Sequence, residues 1–203
     1  VGLADLIFTP WVLERKKPLQ LYGPQGLKDM AKDITHAYVK DLDMRLRGDE
    51  PANLTGYKTD VHELEAGTKD YGIIYKDNNV QVNAFTVNHG RLQSLAYKFI
   101  TEDKTIVVSG DTCPVEIMKE KARDADILLH EYTKGLETRS EQWQIYHRNV
   151  HTLSVDLAKL AIVAKPKLLV TYHRIYHMNV FDRSFDLKQE MEIRKQAILE
   201  EIK

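Results

Sequence analysis

Residues 105–112 read Thr-Ile-Val-Val-Ser-Gly-Asp-Thr, and residues 126–133 read Asp-Ile-Leu-Leu-His-Glu-Tyr-Thr. Each is a short apolar run that stops abruptly at polar side chains able to bind metal or move protons. An apolar run of this length predicts a buried strand. Pro114 and the pattern after it predict a helix around 115–123 between the strands at 104–109 and 126–130. The alternation repeats downstream, with a helix around 152–164 and a strand at 167–172. Strand, helix, strand, helix, strand is the grammar of βα units, in which helices cover a sheet.

Upstream, the period is two. Residues 71–76, 79–87 and 94–101 read as strands, with a hairpin at Asp77-Asn78-Asn79. Before Val61 the chain reads as an opening amphipathic helix, then a short strand Leu19–Tyr22 stopped by Gly23-Pro24. A helix from Gln25 follows, with Leu27, Met30, Ala31, Ile34, Tyr38 and Leu42 on one face. The stretch Arg45–Asp60, holding Gly48, Pro51, Asn53 and Gly56, is the best loop candidate. A closing helix is expected from about Asp186, with Leu187, Met191, Ile198 and Ile202 aligned. The expected architecture is a mixed α/β sandwich in a single domain, residues 1–203.

The totals agree. A chain of 203 residues with 43% apolar and 29% charged residues is an ordinary globular composition, and it can bury roughly two-thirds of its unfolded surface. The formal net charge of -1 shows no basic excess, which argues weakly against nucleic acid as partner. One cysteine, Cys113, excludes an internal disulfide and fits a reducing, cytoplasmic compartment. No apolar run approaches a membrane span. The chain opens with Val1-Gly2-Leu3-Ala4-Asp5-Leu6-Ile7-Phe8, without an initiator Met or a leader pattern, and reads as starting inside a helix. The expectation is that a segment precedes it.

The chemistry gathers at strand ends. His89 follows the strand 82–87 in "TVNHG" (86–90), Asp111 follows 105–109 in "VVSGDT" (107–112), and His173 follows 167–171 in "LLVTYH" (168–173). Neutral imidazoles and a carboxylate suit zinc, iron or manganese. One histidine at a strand end is usually just a polar loop residue; three such groups after three buried strands are another matter. "LLHEYT" adds His130 and Glu131, and "NVHTLS" places His151 before a helix. A carboxylate beside an imidazole raises its basicity, as a general acid requires. Taken singly, Glu131 would read as a surface residue and His151 as a helix N-terminal one. No Gly-x-Ser-x-Gly elbow, P-loop or dinucleotide-binding turn occurs, and Cys113 lacks a triad context.

In that order, "TVNHG", "VVSGDT", "ADILLHEYT", "NVHTLS" and "KPKLLVTYH" resemble the metallo-β-lactamase fold in its ribonuclease Z and arylsulfatase-like branch. The resemblance implies a four-layer αββα sandwich with two divalent metal ions at one edge, zinc first and manganese or iron as alternatives. It implies that His89 ligates the first metal, that Asp111 bridges both, and that His173 ligates the second. It assigns Glu131 and His151 as the pair assisting at the phosphate or leaving group. Tyr172 departs from the pattern, standing between Thr171 and His173 where ribonuclease Z proper has Thr-His directly. The His-x-His-x-Asp-His segment of the family does not occur, so the chain reads as the C-terminal two-thirds of the fold. His36, His62, His147 and His177 stand singly and read as non-ligands.

The implied activity is metal-dependent hydrolysis through a metal-bound hydroxide, on a small-molecule or nucleotide-like phosphodiester or related ester. The alternatives are a ribonuclease Z-type tRNA 3′-processing endonuclease and a non-catalytic binding module of the same fold. Metal content near two per chain separates the last from the others. Many ribonuclease Z proteins insert a basic tRNA-gripping arm between the positions matching His89 and Asp111. Only Gly90 to Gly110 intervene here, which favours small esters over nucleic acid. No membrane partner is expected, and a homodimer is compatible.

Overall fold

The computed structural model of the chain describes residues 2–48, 50, 52–176 and 196. The expected closing helix and His177 lie outside them. The chain divides between Ala66 and Gly67 into two compact units.

In the first unit, α1 (Leu3–Val12) is followed by β1 (Leu19–Pro24), α2 (Leu27–Ala37), α3 (Val39–Arg47) and β2 (Thr59–Leu64). Ile7, Phe8, Trp11 and Leu42 form its buried centre. The single helix expected from Gln25 is broken at Tyr38, whose ring lies 4.6 Å from that of Phe8. β1 pairs in parallel with β2 and runs through Gly23-Pro24 instead of stopping there. In a two-stranded sheet a proline can leave its missing donor on the open edge. The Arg15 guanidinium donates to the carbonyls of Leu6, Ile7 and Gly56, tying α1 to the expected loop. That loop holds, trimmed by α3 at one end and β2 at the other.

The second unit is built on one six-stranded sheet. β3 (Asp70–Lys76), β4 (Gln81–His89), β5 (Leu92–Ile100), β6 (Thr105–Val108), β7 (Ile127–Lys134) and β8 (Leu168–Tyr176) lie in sequence order. β3 to β6 are antiparallel neighbours, whereas β6, β7 and β8 are parallel. The sequence pattern anticipates this change: hairpins link the first four strands, and helices link the last three. The expected turn at 77–79 is present, with the Asp77 carboxylate accepting from the amides of Asn79 and Val80.

Helices α4 (Glu116–Lys121) and α6 (Ser154–Ala164) bury Met118, Leu157 and Leu160 against Phe85, Val107 and Leu128 of the sheet. Fully burying side chains of this size contributes about 1.5–3 kcal/mol each. Between β7 and α6 the chain forms a short 3₁₀ turn (Leu136–Thr138) and then α5 (Glu141–Val150). The sequence did not announce α5, because Val150 is its only buried residue and no apolar stripe repeats along it. Among the described residues no helix is long and apolar enough to cross a membrane.

Candidate metal centre

Three strand ends and one helix end meet at the candidate site. Residues Ser109 to Thr112 form a tight reversal after β6. Gly110 makes it with φ of 63°, and a Cβ there would fall 2.4 Å from the Leu95 carbonyl oxygen, so only glycine fits. Behind the turn, the Ser109 hydroxyl donates to the Gly110 carbonyl and accepts from the Glu131 amide. The turn presents Asp111, half-exposed, beside His173: Oδ1 and Nδ1 are 3.2 Å apart.

His173 reaches that position through an irregularity. Along β7 and β8, Glu131 pairs with Tyr172 and Tyr132 with Arg174, which leaves His173 as an extra residue. It is a β-bulge with φ of 43°, an uncommon conformation for a side chain of this kind. The insertion of Tyr172 noted in the sequence is thus absorbed locally. Burial first, then the negative charges of Asp111 and Glu131, push the Tyr172 hydroxyl above its ordinary pKa, so it stays protonated.

Glu131 is wholly buried at 0% exposure, which excludes its reading as a surface residue. Its Oε1 accepts from the Thr112 amide at 3.1 Å and from the Thr152 amide at 3.0 Å. Thr112 and Thr152 are themselves joined, hydroxyl of Thr152 to carbonyl of Thr112, at 2.7 Å. His151, 6% exposed, brings Nδ1 to 3.4 Å from Glu131 Oε1. This is a charge contact, not an aligned hydrogen bond. Among the described residues, Glu131 Oε2 and His151 Nδ1 are both buried without a hydrogen-bond partner.

His89 is placed by the other side of the cluster. Its Nδ1 donates to the Val150 carbonyl at 2.8 Å. A carbonyl only accepts, so Nδ1 is the donor here, as in metal-binding histidines that give their second ring N–H to a backbone carbonyl. Its ring lies 5.0 Å from that of His151, and the His151 ring lies 5.6 Å from that of His173. His147, read from the sequence as a non-ligand, stacks on His151 with centroids 5.6 Å apart. Partial burial first, then His151 and Arg139, push its pKa down. The four-residue spacing of His147 and His151 is visible in the sequence, but it reads as one helical turn only once α5 is known. His130, by strand alternation, faces away into a pocket of about 110 Å³ lined also by Cys113, Met118 and Leu160. Burial lowers the His130 pKa, and its Nδ1 donates to the Glu131 carbonyl.

The donor set suits a divalent cation. Ligand atoms of Glu131, His151 and His173 lie within 4.8 Å of one another. A buried carboxylate oxygen and imidazole nitrogen so placed can share a proton or face an ion. Asp111 and His173 are in contact, and His89 is linked to His173 through the ring of His151. The compact trio is therefore not the one the sequence singled out.

No family model matches the chain. It is 26% identical to the Ribonuclease Z of Methanosarcina mazei, covering 85% of this chain and 65% of that protein. It is 26% identical to the Ribonuclease Z of Sulfurisphaera tokodaii, covering 98% of this chain and 72% of the relative. The chain thus spans a little under two-thirds of the length of the first of these. Human tRNase Z, short form, superposes with a TM-score of 0.61 at 22% identity, over 88% of this chain and 70% of that one. The metallo-β-lactamase fold protein YhfI from Bacillus subtilis superposes at 0.54 and 14% identity, over 95% of this chain and 65% of that one. Strand order and these likenesses agree: the chain has the metallo-β-lactamase fold, and its sequence is similar to those of the Ribonuclease Z relatives.

Proposed function

We propose that this chain carries much of the active site of a metal-dependent hydrolase that cleaves phosphodiester bonds. The single observation behind it is the buried Glu131 carboxylate, pinned by two amides and set beside His151 at the edge where Asp111 meets His173. Curated relatives called Ribonuclease Z support the same chemistry. We assign His89, Asp111 and His173 to hold two divalent ions, with zinc the first candidate. A bound divalent cation supplies polarisation of a phosphoryl oxygen and neutralises developing charge. We also assign the whole chain to one metallo-β-lactamase-like domain.

The chain's own residues handle the proton. His151 lies between His89 and His173 in the cluster, where it can give a proton to the departing oxygen. Glu131 stabilises the imidazolium form before that transfer and, being held by the Thr112 and Thr152 amides, does not swing away. General acid catalysis of this kind contributes typically 10²–10⁴-fold in rate.

The test is turnover of bis(p-nitrophenyl) phosphate by the full-length protein. Activity should vanish with a chelator and return with zinc or manganese, and Glu131→Gln should lower kcat by about 10²-fold or more with little change in KM. Metal-independent turnover, or an unchanged kcat in the variant, would sink the assignment. A second reading, processing of precursor tRNA at its 3′ end, is favoured by the name shared by the relatives. The 21 residues between His89 and Asp111 form only β5, β6 and their turns, which leaves no arm there to grip tRNA. Efficient cleavage of precursor tRNA at physiological salt would decide for the second reading.

A further inference from the structure

A pocket of about 110 Å³ lies between α4 and α6, with His130 of β7 in its wall. His130 and Glu131 leave β7 on opposite faces, so this is not the cluster described above. Most polar groups around the pocket are already engaged. The Thr112 hydroxyl donates to the Cys113 carbonyl, and the Thr152 hydroxyl donates to the Thr112 carbonyl. Lys159 pairs with Asp156 at 3.0 Å, and Lys119 pairs with Glu116 at 2.7 Å. Three soft donors remain in the wall: the Cys113 thiol, the Met118 thioether and the His130 imidazole. His130 is 1% exposed, and its ring makes one hydrogen bond among the described residues, from Nδ1 to the Glu131 carbonyl at 2.6 Å. Nε2 is left over, yet it is not sealed in as Glu131 Oε2 and His151 Nδ1 are, so the pocket reaches it. Metal-binding histidines are commonly held in this way, one ring nitrogen fastened to a backbone carbonyl and the other turned to the ion. Cys113 is half-buried and forms no disulfide, with the Asn88 side chain as its hydrogen-bond partner. A thiol is a weak hydrogen-bonding group, so giving up that contact costs little.

We propose that Cys113, His130 and Met118 form a binding site for a soft monovalent cation, Cu(I), separate from the strand-end cluster. Thiolate, imidazole and thioether together are a donor set that selects Cu(I) over harder divalent ions. A thiolate and a monovalent ion cancel in charge, which suits walls that also hold Pro114, Val115 and Leu160. Zinc would leave an uncompensated positive charge in the same place. Asp156 does not supply the missing negative charge. It pairs with Lys159, and among the described residues it forms no compact ligand cluster with Cys113 and His130. On binding, the thiol proton passes to solvent as the sulfur–copper bond forms, and copper stays in its +1 state throughout.

The test is anaerobic titration of the full-length protein with Cu(I) against a chromogenic Cu(I) chelator, with zinc present in excess to occupy the strand-end cluster. A single Cu(I) per chain should bind. Cys113→Ser should weaken it by more than the roughly 10–100-fold lost with an outer partner of a metal ligand. Met118→Leu, which conserves core volume, should weaken it as well. Asp111→Asn should leave Cu(I) affinity unchanged. X-ray absorption at the copper edge should show sulfur among the nearest neighbours of the ion. The spectrum is taken on the parent protein, so it decides the matter even where the serine variant fails to fold. Equal Cu(I) affinity in the parent and in Cys113→Ser, displacement of copper by the zinc, or a copper shell of nitrogen and oxygen alone overturns the site. Loss of binding in Asp111→Asn with retention in Cys113→Ser also overturns it, assigning the copper to the strand-end cluster.

Discussion

Glu131 does two separable things with its two oxygens. Oε1 satisfies the Thr112 and Thr152 amides, which would otherwise be buried donors without acceptors, while Oε2 has no hydrogen-bond partner among the described residues. Glutamine keeps a carbonyl oxygen for the amides and loses the charge; alanine loses both. Leaving a buried donor unsatisfied costs about 1–3 kcal/mol. Glu131→Ala should therefore lose at least that much stability in urea titrations, whereas Glu131→Gln should stay close to the parent while losing turnover. Equal stability of the two variants would show that the amides find other acceptors and that the pinning is not structural. Sequence made Glu131 a candidate through its neighbour in "LLHEYT". Its pairing with His151, twenty positions away, and not with the adjacent His130, was implied by the family resemblance and by no local pattern. Strand alternation turns the two neighbours to opposite faces.

At the scale of elements, β6, β7 and β8 are fastened at their starts as well as positioned at their ends. The Asp126 carboxylate accepts from Lys167 Nζ at 2.8 Å and from the Thr105 amide at 2.7 Å. These contacts, the lysine first and then the amide, hold its pKa below the usual carboxylate range. A carboxyl whose folded pKa is depressed contributes stability that is fully present above its unfolded value, near 3.9, and fades as pH falls through the folded one. Asp126→Asn should thus be less stable than the parent at neutral pH, and the gap should close below about pH 4. A gap that widens on acidification would contradict the clamp. At the opposite ends of the same strands, the bulge at His173 shows how an element can be legible while its irregularity is not. The strand was expected at 167–172, and it continues to Tyr176 past the bulge, because the pairing with β7 resumes at Arg174. A polar run such as Thr171-Tyr172-His173-Arg174 carries no apolar alternation from which that continuation could be read.

For the molecule as a whole, a cation that binds only the folded state should stabilise it by mass action. At a free zinc concentration one hundred times the dissociation constant, the gain is about 2.7 kcal/mol. The thermal midpoint of the full-length protein should rise with zinc and fall with a chelator, and Asp111→Asn should shrink the difference. Melting curves that coincide in zinc and in chelator would count against a metal centre at this edge.

The amino-acid sequence by itself determined the order of the strands in the second unit and of helices α4 and α6 between them, since hydrophobic period and turn residues are local properties. It also marked His89, Asp111, Glu131, His151 and His173, because chemistry placed at the ends of apolar runs stands out against them. Tertiary structure alone decided which of these groups touch. The contacts between Asp111 and His173, and between Glu131 and His151, span sixty-two and twenty positions and depend on strand pairing and helix packing, not on any local pattern. It also decided that α5 exists and that its rings run into the site: a mostly exposed helix has no buried stripe to betray it, and its placement is fixed by the fold around Val150.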